Sequence, residues 1–215
     1  MLIRDIMTHN VITIPSDTPV FEAERTMGFH KFARLPVVDK GKLVGLVTKD
    51  NLLKASPSSA TSFSRAELHY LLSRLTVKEI MVKKVVTVSP DTSVEQAVAL
   101  AQKNKVGCLP VLEGDKVVGI VTTNDFFYKI LNPLLGIGEA GKRIIVQGAA
   151  EAASLQKLLD TVKKADIEVK SLCSLTSTGA GKNDIVLHLK SENVDKLIEQ
   201  LKGMGFSVEE REHTT

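Results

Sequence analysis

The chain of 215 residues writes one stretch twice. "IRDIMTHNVITIPSDTPV" from Ile3 returns as "VKEIMVKKVVTVSPDTSV" from Val77. "RLPVV" returns as "CLPVL", and "GKLVGLVTKDNL" returns as "DKVVGIVTTNDF". Met7 and Met81, Pro36 and Pro110, Gly45 and Gly119, and Thr48 and Thr122 keep one offset of 74 (81 − 7 and 110 − 36 alike). A fixed offset over so many anchors means one supersecondary unit built twice. Either unit alone is too small to bury its apolar faces, so the two copies should pack together.

Each copy reads as a small mixed unit. Thr18 is expected to cap a helix whose first residue is Pro19, because a proline's missing N–H would be unpaired there in any case. Val20, Ala23 and Met27 then share a face, as Val94, Ala97 and Ala101 do in copy two. "LPVVDKGKLVGLVT" is two β-rich runs around a turn with Gly41, hence a hairpin. A short helix should follow, around "DNLLKA" in copy one and "NDFFYKIL" in copy two. Between the copies, a Ser-, Thr- and Pro-rich loop leads to Ser64 and Glu67, a capping box. Leu68, Leu71, Leu72 and Leu75 then mark a helix, expected to dock on its own core rather than to bind a partner.

After Pro133 the pattern changes. "RIIVQG", "IEVKSLCSLTS", "DIVLHLK" and "FSVEERE" read as strands; "SLQKLLDTVKKA" and "NVDKLIEQLKGMG" read as helices. Leu155, Leu158, Leu159 and Val162 form the apolar face of the first helix, and Val194, Leu197, Ile198 and Leu201 that of the second. The order βαββαβ is the ferredoxin-like plan. The fold class expected is therefore α/β (α+β), a duplicated pair followed by this smaller domain. "GIGEAGK" at 136–142 satisfies parts of two phosphate-loop patterns. Both patterns need a strand before the loop and a helix after it, so that the helix N-terminus faces the anion. Here the order is reversed, and Arg143 stands where a P-loop needs Ser or Thr, so the stretch is read as a hinge.

Bulk properties narrow the function. A net charge of +3, without a basic run interleaved with aromatics, argues against a nucleic-acid partner. Cys108 and Cys173 lie far apart and suit a reducing cytosol. The start "MLIRDIMTHN" lacks a signal-peptide core, and no segment is apolar enough for a membrane span, so a cytoplasmic protein is expected. His9, His30, His69, His188 and His213 show no metal-ligand spacing. No nucleophile elbow, zinc motif or true Walker motif is present, so no enzymatic activity is expected.

The "IM…VxTVxPDT" opening, the "LPVV" strand and the closing Gly-hydrophobic-hydrophobic-Thr-x-x-Asp resemble tandem CBS motifs, the Bateman module. The tail is similar to an ACT domain, and the insert "ASPSSATSFSRAELHYLL" resembles that of the acetoin-utilisation, AcuB-like group. The resemblance implies CBS motif 1 at 1–56, an inter-motif loop and helix at 57–75 and CBS motif 2 at 76–132. A linker at 133–142 and an ACT-like domain at 143–213 would follow. Ala150, Ala152 and Ala153 replace the Asp, Pro and Gly of the ACT ligand loop, while Leu155 keeps its last position. Pairing of sheets between subunits is therefore the expected use of that domain rather than amino-acid binding.

Such modules resemble a disc with two clefts that bind AMP, ADP, ATP or S-adenosylmethionine. In family register, Thr122 and Asp125 serve one cleft, with Met7, Asn10, Val11, Ile12, Phe32 and Ala33 enclosing the adenine. A carboxylate has two acceptor oxygens and suits a ribose diol. The other cleft would use Arg34, Thr48, Asn51, Met81, Lys84, Val85, Val86, Val106 and Gly107. Asn51 stands there where the ribose Asp belongs, and Asp50 is one residue early. The bland alternative is that Thr122 and Asp125 merely cap the following helix. The resemblance implies a regulatory adenine-nucleotide sensor, a homodimer or higher assembly with no required cofactor. It further implies an unknown regulated protein, in acetoin or central carbon metabolism. The alternative is a structural dimerisation protein with vestigial clefts.

Overall fold

The computed structural model describes residues 1–55, 75–176 and 183–211. Of the inter-motif helix expected from Ser64, only Leu75 falls among them. The chain divides into two compact units, Met1–Asp125 and Phe126–Thr215.

In the first unit the repeat is visible element by element. Copy one runs α1 (Ile3–Ile6), α2 (Val20–His30), β1 (Arg34–Asp39), β2 (Lys42–Thr48) and α3 (Lys49–Ala55). Copy two runs α4 (Val77–Ile80), α5 (Val94–Asn104), β3 (Cys108–Glu113) and β4 (Lys116–Thr122), and α6 (Thr123–Phe126) follows. Both hairpins are antiparallel, and both carry a bulge at the same place, Val37/Val38 and Val111/Leu112. Lys40 (φ 49°) and Gly41 (φ 80°) close the first hairpin with two positive-φ residues, the turn whose twist matches paired strands.

The two copies hold each other. Ile3 N–H donates to Thr92 O, and by the same offset Val77 N–H donates to Thr18 O, both at 2.9 Å. Thr8 bridges Ile120, and Leu46 bridges Val82. The Met7 thioether packs where a Cβ on Gly119 would stand, and Met81 does the same to Gly45. Val77 of copy two is fully buried in the copy-one core with Val20, Ala23, Met27, Leu35, Val37, Val47 and Leu52. Each copy's opening segment therefore completes its neighbour.

Thr18 does not cap α2. Pro19 is the N-cap residue, its carbonyl accepting from Glu22 and Ala23, because the Thr18 carbonyl is engaged by Val77. In copy two Ser93 caps with its side chain, accepting from Gln96 N–H at 3.2 Å. Val20, Ala23, Met27, Val94 and Ala97 are buried as their spacing predicts, while Ala101 is half-buried. "NDFFYKIL" is less regular than expected: α6 gives way to a π-turn at Phe127–Leu131.

In the second unit α7 (Asn132–Leu135) precedes β5 (Lys142–Val146), α8 (Ala152–Lys164), β6 (Val169–Thr176), β7 (Asn183–Leu189), α9 (Asp195–Gly203) and β8 (Val208–Arg211). The sheet order is β6-β7-β5-β8, antiparallel throughout, which is the βαββαβ arrangement. Its core gathers Ile144, Val146, Leu158, Val162, Ile185, Leu187, Leu189, Leu197 and Leu201. Leu155 and Ile198 are partly buried, whereas Leu159 sits at the rim, 36% exposed.

The "GIGEAGK" stretch follows a helix and precedes a strand. Gly136, Gly138 and Gly141 all have positive φ (67°, 82° and 139°), which asks for glycine on backbone grounds alone. A Cβ on Gly136 would lie 2.5 Å from the His188 ring, and one on Gly141 would run into the Leu189 carbonyl. Lys142 makes an ion pair with Glu210 at 2.6 Å. The stretch is a fitted turn lying against β7, closer than the word hinge conveys.

Candidate functional site

At the end of β4 the Thr-x-x-Asp sequence folds back on itself. Asp125 Oδ2 accepts from Thr122 N–H (2.8 Å) and from the Thr122 hydroxyl (2.7 Å), and Thr8 Oγ1 lies 3.5 Å from Asp125 Oδ1. Asp125 thus caps the helix start, as the bland reading requires, and is only 9% exposed. A carboxylate placed there is oriented by Thr122 and Thr8 before any ligand arrives.

Asp125 also lines a cavity of about 430 Å³, within the size range of small-molecule sites (about 300–1,000 Å³). Asn10, Val11, Ile12, Phe32 and Ala33 of copy one line it together with Thr122 and Asp125 of copy two. Seven of the eight residues assigned to this cleft therefore meet around one space. Met7, the eighth, is not in the lining; its side chain is turned onto Gly119.

The lining also contains Thr8, Lys31, Ile120, Thr123 and Asn124, which the sequence reading did not name. Asn10 (φ 54°) is held in left-handed backbone, and Lys31 (φ 56°) is the left-handed cap that ends α2, as Lys105 is for α5. The stacked ring of His30 backs Phe32 at 5.3 Å. Arg34, which sequence register grouped with Asn51, lines the cavity with Asp125. Which copy a strand-start side chain serves depends on how the copies pack, and spacing does not encode that.

The residues grouped with Asn51 show a different chemistry. Asn51 Oδ1 accepts from both Thr48 N–H (3.0 Å) and the Thr48 hydroxyl (2.7 Å), so its one acceptor oxygen already serves the cap. Met81 is turned onto Gly45, as Met7 is onto Gly119. Lys84 is exposed; Val86 and Val106 are half-buried. Val85 lies in a separate depression with Lys42, Lys83 and Asp115. Gly107 lies beneath Arg34: a Cβ there would stand 2.7 Å from the guanidinium Nη2. The Thr123 hydroxyl donates to Gly107 O at 3.2 Å. Among the described residues no group of His, Cys, Asp and Glu could hold a metal ion, and no helix is long and apolar enough to cross a membrane.

Comparison with known proteins places this architecture. The CBS-domain family matches residues 3–58 and 77–132. An inosine-5'-monophosphate dehydrogenase of Korarchaeum cryptofilum is 33% identical over 140 residues, 65% of this chain, and the chain spans 26% of that enzyme. A Vibrio cholerae protein assigned to acetoin utilization (AcuB) superposes with a TM-score of 0.52 at 30% identity, covering 61% of this chain and 91% of that one. A Methanocaldococcus jannaschii protein described as an archaeal homologue of γ-AMPK gives a TM-score of 0.50 at 26% identity, covering 58% of this chain and 45% of that one.

Proposed function

The chain belongs to the CBS-domain family, and on that premise we propose that it is a regulatory sensor of an adenosine ligand held in the cavity around Asp125. The observation that carries this reading is the meeting of an oriented carboxylate with an apolar, aromatic-edged space of nucleoside size. The ribose hydroxyls donate to the Asp125 carboxylate. Val11, Ile12, Phe32 and Ala33 cover the base, and the backbone beside Asn10 reads its edge. The ligand joins copy one to copy two, so its binding free energy favours one arrangement of the pair over others. That differential is how an AMP, ADP, ATP or S-adenosylmethionine signal reaches the dimer or a regulated protein. Catalysis is not part of the proposal.

In this proposal residues 1–56 and 76–132 are the two CBS motifs, joined by 57–75, with the linker at 133–142. The unit at 143–213 is an ACT-like domain serving homodimer assembly by sheet pairing, in a cytoplasmic protein. The strand order of its sheet supports that reading. The likeness to the Vibrio cholerae protein supports a place in acetoin or central carbon metabolism. A second reading, a structural dimerisation protein with vestigial clefts, draws on Asn51, whose acceptor oxygen is committed to Thr48. Thermal unfolding with AMP, ADP, ATP, S-adenosylmethionine and adenosine separates the two. A ligand that binds only the folded protein raises its melting temperature. The sensor reading expects such a rise, and a flat response to the whole panel supports the structural one.

A further inference from the structure

We propose that the second unit joins two copies of this chain along β6, edge to edge and antiparallel, about a two-fold axis at Cys173. The inference rests on the assembly reading above and adds the surface and its register. β6 pairs on one side with β7, and among the described residues no strand pairs with its other side. None of its eight residues is buried, whereas residues 185–189 of β7 all are. Val169, Leu172 and Leu175 are 37%, 37% and 48% exposed, and Lys170 is the only charge on the strand. A long apolar edge of this kind presents a row of unpaired N–H and C=O groups, which natural sheets cover or blunt.

The other surfaces of this sheet are less suited. Val186 and His188 alternate with the core residues Ile185, Leu187 and Leu189 and so point to the opposite face, yet they are only 4% and 1% exposed. Gly136, in the turn after α7, lies against the His188 ring, so that face of β7 is already occupied. The opposite edge, β8, has four residues, three of them charged. A two-fold in the middle of β8 sets Glu209 or Glu210 directly opposite its own copy, and like charges so placed repel. On β6 the same operation is self-complementary. The bulge between Val169 and Ser171 leaves the stretch from Ser171 to Thr176 regular. An axis at Cys173 sets Leu172 opposite Ser174, Ser171 opposite Leu175 and Lys170 opposite Thr176 of the second copy. The two lysines are kept at opposite ends, each beside Glu168 of its own chain at 3.3 Å. Identical edges close on each other about a two-fold, so pairing stops at two copies. Each Cys173 faces its counterpart, with Cβ atoms about 4.5–5.5 Å apart.

Crosslinking of the full chain by a short bismaleimide tests the contact, in a Cys108→Ala background that leaves Cys173 as the single thiol. At micromolar concentration most of the chain should run at twice its mass after reaction, and a further Cys173→Ser change should abolish that product. Leu172→Lys and Leu175→Lys each place a charge on the edge. Each should raise the dimer dissociation constant about tenfold or more in light scattering, with the sheet retained in circular dichroism. Glu210→Gln, on β8, should leave that constant unchanged. If the Cys108→Ala protein is a dimer by light scattering but Cys173 does not crosslink, or if neither lysine variant moves the dissociation constant, the β6 contact is wrong while the assembly reading stands. A monomeric wild type overturns both.

Discussion

Asp125 and Asn51 occupy equivalent places in the two copies and make the same pair of hydrogen bonds to their threonines. Their difference is one oxygen. The carboxylate keeps a second acceptor, near Thr8, whereas the amide presents N–H donors in its place. Asn51→Asp should therefore add or strengthen a second binding event for an adenosine ligand, read as increased stoichiometry in calorimetry; unchanged stoichiometry and affinity would count against the pairing of the two sites. Cys108 supplies a separate check on local packing. Burial pushes its thiol up from 9.0 to about 11, with the neighbouring Arg34 pulling the other way. A higher value means less thiolate at pH 8, so iodoacetamide should modify half-buried Cys173 well before Cys108 in the native protein. Equal rates would show that Cys108 is more open than this structure has it.

At the scale of elements, the glycine turn before β5 illustrates what sequence order settles and what it leaves open. Helix before and strand after was enough to set aside a phosphate loop, and the structure has that order. The fit against His188 and Leu189 was not readable, because those residues lie some fifty positions away and meet the turn only through the sheet. Gly141→Ala should cost more than Gly138→Ala, and more than about 2 kcal/mol, since a clash with the Leu189 carbonyl adds to the strain of positive φ. Gly138→Ala meets open space and should cost only the backbone strain, about 1–2 kcal/mol. Equal melting points for the two variants would contradict that close approach. The same limit applies around the cavity. The resemblance to CBS motifs pointed to Thr122 and Asp125, because a shared motif carries its own register. It did not locate Lys31 or Thr8, nor show that Met7 turns away onto Gly119. Those facts arise where one copy's loops meet the other's strands.

For the whole molecule, mutual completion of the copies is the organising fact: Val77 fills the core of copy one, and Ile3 binds the backbone of copy two. Neither copy is expected to fold alone, so in the proposed account a ligand bound between them would act on the unit as a whole. Assembly should go further. A homodimer is expected in light scattering at micromolar concentration, and a monomeric mass would remove sheet pairing from the proposal. The central claim, that an adenosine ligand is held by Asp125, is tested most directly by titrating AMP into the wild type and Asp125→Ala. Hydrogen bonds to a charged group contribute about 1.5–3 kcal/mol, and about 1.4 kcal/mol is tenfold in affinity. Asp125→Ala should therefore bind AMP roughly ten- to a hundredfold more weakly than the wild type. Equal affinity of the two proteins for AMP would contradict the account.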